Sequence, residues 1–206
     1  MGEEISVAQL KAKAAGSTPT MISLDYLLVR SHELRTKLIE KAIDWISQEM
    51  TKTRQHRQDR SEDELTIDIV GLLKSMGIQA THDTQYGGHC DIVVEAEGDY
   101  LWIAEAKSHN SGYDWLLSGF EQLDRRYSTG LPGQDQGAII IYHFRTRADR
   151  TMSKWRAHLT DRRPEVQCIP EELQQLSFRT VHIHEATGAN FYVRHTIINL
   201  HFEPTV

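Results

Sequence analysis

Cys90-Asp91-Ile92-Val93-Val94-Glu95, the turn Glu97-Gly98-Asp99, and Tyr100-Leu101-Trp102-Ile103-Ala104-Glu105-Ala106-Lys107 decide the fold between them. Two apolar runs flank a Gly-Asp pair, which is the pattern of a β-hairpin. Folding about Glu97-Gly98 sets Asp91 opposite Ala104 or Glu105 on the returning strand. Side chains alternate across a strand, so Glu105 and Lys107 leave one sheet face and Ala106 leaves the other. Two carboxylates and an ammonium therefore converge at one end of the hairpin. Hard cations such as Mg²⁺ take carboxylate oxygens and keep several waters, and a metal so held polarises a phosphate oxygen and acidifies a water. Lys107 would orient that water or stabilise charge developing on a phosphoryl group. A surface hairpin with merely solvated charges accounts for the same three residues without chemistry.

The surroundings extend the pattern. Ser61-Glu62-Asp63-Glu64-Leu65 opens a helical run through Ile69, Leu72, Leu73 and Met76, with Ser61 as N-cap, Glu64 closing a capping box and Gly77 as the stop. Ile78-Gln79-Ala80-Thr81 reads as an edge strand, and Gly87-Gly88 as a loop before His89-Cys90-Asp91. Downstream, Asp114 to Tyr127 reads as a helix, and Gly137-Ala138-Ile139-Ile140-Ile141-Tyr142-His143-Phe144 as a buried strand. This order, with Asp91 and Glu105-Ala106-Lys107 at its centre, resembles the PD-(D/E)XK, or restriction-endonuclease-like, nuclease superfamily. The resemblance covers roughly residues 61 to 145, and the order of elements carries more of it than the three short motif residues.

The resemblance implies an α/β fold, with a mixed central β-sheet flanked by helices. It also implies metal-dependent hydrolysis of nucleic-acid phosphodiester bonds, leaving a 5′-phosphate. Asp91, Glu105 and Glu62 would hold Mg²⁺, with Mn²⁺ as a substitute, and Lys107 would act on the water or phosphate. Glu62 matches the family's helix glutamate best, because it lies three residues before Leu65 and seven before Ile69; Glu64 is the second choice. Family members also carry a glutamine and a tyrosine on the later helix. Gln122 and Tyr127 stand in similar places but five residues apart, where the recombination-nuclease subgroup spaces them by four, so Tyr127 points about 100° away from that subgroup's position. DNA is the expected substrate ahead of RNA. The expected assembly is a homo-oligomer or the effector subunit of a larger complex, such as a restriction or anti-phage defence system. The alternative is a catalytically silent fold of this kind that binds nucleic acid or protein.

Composition sets bounds. The chain has 206 residues and a net charge of −6, which argues against indiscriminate nucleic-acid binding. From Arg125 to Arg163, however, nine Lys/Arg face only Asp135, Asp149 and Asp161. Arg125, Arg126, Arg145 and Arg147, with His89 and His109 beside the hairpin and Tyr127, are the candidate substrate contacts; Arg150, Lys154 and Arg156 continue the basic stripe. A second basic group, Lys52, Arg54, Arg57 and Arg60, precedes the Glu62 helix. Cys90 and Cys168 form no disulfide framework or zinc motif, and Cys90 reads as a buried strand residue. With no signal peptide or membrane-spanning run, a cytoplasmic protein without membrane contact is expected.

Three segments are expected: a helical extension over residues 1–60, a nuclease-like core over 61–163, and a strand hairpin over 164–206. The first 20 residues read as a weak helical segment broken at Gly16-Ser17-Thr18-Pro19. Ser23 to about Gln58 reads as one long helix that packs on the core or serves self-association. Phe178 to Glu185 and Phe191 to Phe202 alternate as strands, extending the sheet or forming a dimer surface. His182 and His184 on one strand, with His195 and His201 on the other, are a candidate metal group, though exposed strand histidines have the same spacing.

Overall fold

The computed structural model describes residues 5–85, 87–110, 112–170 and 175–204. Its centre is a seven-stranded mixed sheet in the order β1-β2-β3-β4-β7-β6-β5, formed by β1 (Ala80–Gln85), β2 (His89–Ala96), β3 (Tyr100–Ser108), β4 (Gln136–His143), β5 (Gln167–Pro170), β6 (Ser177–Ile183) and β7 (Asn190–Asn199). β1, β2 and β3 run antiparallel, β3, β4 and β7 run parallel, and β7, β6 and β5 return antiparallel. β3 and β4 are buried almost throughout, as parallel strands covered on both faces must be.

Helices close both faces. The preceding helices are α1 (Val7–Ala14), α2 (Thr18–Leu28), α3 (His32–Lys52) and α4 (Glu62–Ser75). α3 and α4 bury Ile39, Ile43, Ile46, Leu65, Ile69 and Leu73 against one face, where Trp102, Ala104 and Ile140 meet them. The other face carries α5 (Tyr113–Gln122) and α6 (Ala148–Arg162), with Phe120, Leu123 and Trp155 packed on Ile103, Ile139 and Val193. Alternation along β3 divides the layers: Trp102, Ala104 and Ala106 face α3 and α4, and Leu101 and Ile103 face α5 and α6.

The start of α4 follows the sequence reading. Ser61 accepts the Glu64 N–H, and the Glu64 carboxylate accepts the Ser61 N–H in return; Gly77, at φ 78°, follows the last turn. Three expectations change. The helix read from Ser23 to Gln58 is two helices, because Val29 turns extended and Ser31 caps α3 by accepting the Leu34 N–H. The break read at Gly16-Ser17-Thr18-Pro19 separates α1 from α2, but the helix after it starts at Thr18 rather than Ser23, with Ser17 as N-cap and Pro19 in the first turn, where a missing N–H costs nothing. The helix read to Tyr127 ends at Gln122, and Leu123–Tyr127 forms a π turn. At the C-terminus, β6 and β7 form a hairpin that joins the central sheet through β7 and β4, and β5 is a further edge strand. Among the described residues no helix is long and apolar enough to cross a membrane.

Candidate active site

The β2–β3 ladder stops at Ile92↔Ala104, and beyond it the strands separate. The next residue of β2 is Asp91, whose Oδ2 accepts the Ala106 N–H at 2.7 Å, replacing the ladder bond that the divergence removes. Glu105 and Lys107 follow Leu101 and Ile103 on the α5 side of β3, with the Lys107 Nζ 2.5 Å from Glu105 Oε1. Glu62, the first residue of α4, reaches the end of β3: Oε2 accepts the Ser108 N–H, and Oε1 lies 4.0 Å from the Lys107 Nζ. Three carboxylates and one ammonium thus gather at the carboxyl end of β3, the end at which open α/β sheets place their ligand crevices.

Two residues of α5 complete the wall. Gly119 packs on the pair; a Cβ there would stand 2.9 Å from Lys107 Cγ and 3.3 Å from Glu105 Cγ. Trp115 lays its ring 5.0 Å from the Lys107 Nζ and remains 44% exposed. Neither is among the residues the sequence singles out for the site, although a glycine inside a helical pattern signals a close approach.

The site is electrostatically strained. Burial raises the Glu105 carboxyl to about 7, Asp91 adds to the rise, and Lys107 opposes it. Burial likewise raises Asp91 and Glu62, against the hydrogen bonds from Ala106 and Ser108. For Lys107, burial pulls the pKa down, but the Glu105 charge and hydrogen bond outweigh it, and the net direction is up. The Cys90 thiol, buried and close to Glu105 and Asp91, is pushed up to about 12 and remains a protonated core group.

Whether a divalent cation fits is decided by the oxygens left over. Among the described residues no group of three or more His, Cys, Asp or Glu side chains stands ready as a metal cage. Glu62 and Asp91 each spend an oxygen on a main-chain N–H, and Glu105 Oε1 is held by Lys107. Glu105 Oε2, however, is buried without a hydrogen-bond partner. Mg²⁺ needs only one or two carboxylates beside its waters, so an orphaned buried oxygen among like charges fits such an ion.

The other sequence candidates divide. Gln122, half-buried, is one turn beyond Gly119 on the same helix. Tyr127 is buried and donates its hydroxyl proton to the His89 carbonyl at 2.9 Å, a bond that ties the π turn to β2. His89 is exposed and paired with Asp83 at 2.8 Å. His109 is buried against His143 and Tyr113 at the ends of β3 and β4, and both its ring nitrogens lack partners. Burial, then the Arg145 charge, lowers its pKa. Arg125, Arg126 and Arg145 are exposed, whereas Arg147 forms a two-pronged pair with Asp149 at 2.9 and 2.7 Å. Of the earlier basic group, Arg57 and Arg60 pair with Asp68, and Lys52 with Glu49.

The C-terminal histidines do not converge on a metal. His182 binds Asp124 at 2.7 Å, His184 binds Ser128 and Thr187, and His201 binds the Phe144 carbonyl. His195 is fully buried, accepts the Trp155 indole N–H on Nδ1 and donates from Nε2 to Thr180. Paired core histidines, not ligands, account for that spacing. Comparison of the chain with protein-family models, with curated proteins and with solved structures finds no match.

Proposed function

We propose that this chain is a metal-dependent nuclease of the PD-(D/E)XK type that hydrolyses phosphodiester bonds of nucleic acid, DNA ahead of RNA. The observation that carries the reading is the buried, unpartnered Oε2 of Glu105 beside Asp91 and Glu62, with Lys107 clamped against the same residue. The order α4, β1, β2, β3, α5, β4 supports it as the restriction-endonuclease-like arrangement expected from the sequence.

Glu105, Asp91 and Glu62 would hold Mg²⁺ or Mn²⁺, which when bound supplies positive charge to a phosphate oxygen and acidity to a water. The chain's own groups do the remainder. Held by Glu105 and within 4.0 Å of Glu62, the Lys107 ammonium offers charge-assisted hydrogen bonds to a phosphate at the mouth. Gly119 leaves the space in which Lys107 lies, and Trp115, one turn earlier on α5, sets its ring against the ammonium. Arg125, Arg126 and Arg145 are exposed cations available to the nucleic-acid backbone. The effector role in a restriction or defence system, and an oligomeric or multisubunit assembly, belong to the same reading by analogy alone.

The test is cleavage of plasmid and single-stranded circles with Mg²⁺ or Mn²⁺, alongside Asp91→Ala, Glu105→Gln and Lys107→Ala. Metal-dependent nicking is expected from the wild type, with at least a hundredfold loss in each variant (about 3 kcal/mol of transition-state stabilisation). Equal activity in the variants removes the assignment. The engagement of each carboxylate with a protein donor favours a second reading, a silent fold that only binds. Absence of calorimetric Mg²⁺ binding dependent on Asp91 and Glu105 selects the silent fold; Mg²⁺ binding that disappears with Glu105→Gln, together with metal-dependent cleavage, rejects it.

A further inference from the structure

At the opposite end of β3 lies a cavity of about 780 Å³, open to solvent and bounded by the α2–α3 junction, the end of α4 and the β2–β3 turn. Its size is that of a small-molecule pocket. Arg35, at the start of α3, is 8% exposed, with its guanidinium 5.4 Å from the Tyr26 ring and 5.5 Å from the Tyr100 ring. It donates one long hydrogen bond, at 3.4 Å, to the Val29 carbonyl, and its Nε has no partner. No described carboxylate forms an ion pair with it. Tyr26, also 8% exposed, has a buried hydroxyl without a partner. Both residues line the cavity, and the exposed Arg30 adds a second cation at its rim, likewise without an ion pair among the described residues.

A buried guanidinium without an ion pair is costly, and buried polar groups without partners are rare outside functional sites. We propose that this cavity binds a nucleotide-sized organic phosphate, its phosphate group on Arg35, Tyr26 and Arg30. The guanidinium fork matches phosphate oxygens in a two-pronged manner, and the Tyr26 hydroxyl adds a third donor. The remaining wall has the opposite character. Ser75, Met76 and Gly77 bring the carbonyl end of α4, and Glu95 and Glu97 bring carboxylates. The body of the ligand therefore carries amino or hydroxyl donors, as a base and ribose do, and bare phosphate is a poorer fit. The cavity and the Glu105 site lie at opposite ends of one strand, so occupation of the first leaves the second open.

The experiment is calorimetry and thermal unfolding of the full chain with AMP, GMP, CMP, UMP, adenosine and inorganic phosphate, repeated on Arg35→Met, Tyr26→Phe and Asp91→Ala. At least one nucleoside monophosphate is expected to bind with Kd near or below about 100 μM. Inorganic phosphate and adenosine should bind at least tenfold more weakly. Tyr26→Phe, which removes no hydrogen bond of the empty protein, should weaken nucleotide binding at least fivefold, and Arg35→Met at least tenfold. Without ligand, Arg35→Met should unfold at the same temperature as wild type or higher, because it deletes an unpaired buried charge. Absence of nucleotide binding overturns the proposal. Binding untouched by Tyr26→Phe and Arg35→Met but lost in Asp91→Ala also overturns it, by placing the ligand among the carboxylates instead.

Discussion

Glu105 carries a testable conflict at the scale of one residue. Its carboxyl is buried, faces Asp91, and titrates at about 7, well above the usual carboxylate range. A folded-state pKa raised above the unfolded one favours folding while the group is protonated, and that advantage disappears as pH rises through the folded value. The wild type should therefore lose stability between about pH 4.5 and pH 7 from this residue, by about 3 kcal/mol. Asp91 and Glu62, raised in the same direction by burial, add to the trend. Glu105→Gln should unfold with a flatter pH profile and be the more stable protein at pH 8, as chemical denaturation at a series of pH values will show. Added Mg²⁺ should recover stability at pH 8 in the wild type and not in the variant. A wild-type profile that rises toward pH 8 without metal would contradict this account of the site.

At the scale of elements, α5 sets how closely the Lys107 pair is confined. Gly119→Ala would gain up to about 1 kcal/mol of helix propensity. It also places a Cβ 2.9 Å from Lys107 Cγ, so the lysine must move. The expected result is a melting temperature within a few degrees of wild type and, on the proposed function, at least a tenfold loss of cleavage rate, since a misplacement of about 1 Å can cost a hundredfold. Unchanged activity would show that Lys107 tolerates displacement. The β2–β3 hairpin was legible because local turn chemistry and alternation agree; its exact register was not, since the sequence leaves Asp91 opposite Ala104 or Glu105, and the Ile92↔Ala104 pair, centred on Gly98, extends toward Glu105. The capping box at Ser61 was legible for the same reason. The break before α3 was not, because the apolar repeat runs on through Leu27, Leu28 and Leu34, all of them exposed. The π turn after Gln122 escaped the sequence because the tertiary bond from Tyr127 to the His89 carbonyl holds it. Sequence supplies the types of residue in the candidate site, but the protein donor bound to each carboxylate depends on how β2 and β3 part, which no local pattern encodes.

At the scale of the whole molecule, the helices before residue 60 differ in what they contribute. α1 buries only Ala14, leaves Val7 and Leu10 exposed, and pairs with α2 through the surface bridge Lys11–Asp25 at 2.7 Å. α3, by contrast, places Ile39, Ala42, Ile43, Ile46 and Met50 in the layer under β2, β3 and β4. It also supports the far half of the sheet, with Glu40 on Arg179 of β6 and Asp44 on Arg194 of β7. Each fully buried Ile or Met side chain contributes about 1.5–3 kcal/mol, so the four large ones together rival the 5–15 kcal/mol by which a whole domain is stable. Removing residues 1–15 should therefore leave cooperative unfolding, far-ultraviolet circular dichroism per residue and the proposed cleavage activity close to those of the full chain. Removing residues 1–52 should yield a chain that aggregates or elutes as an expanded species, because it uncovers Trp102, Ile140 and Ile198 along one sheet face and Ile69 on α4. A 53–206 fragment that melts cooperatively and cleaves would mean that the sheet and its later helices are self-sufficient. In that event α3 would be an added layer, and its apolar side would become accountable to something other than this core.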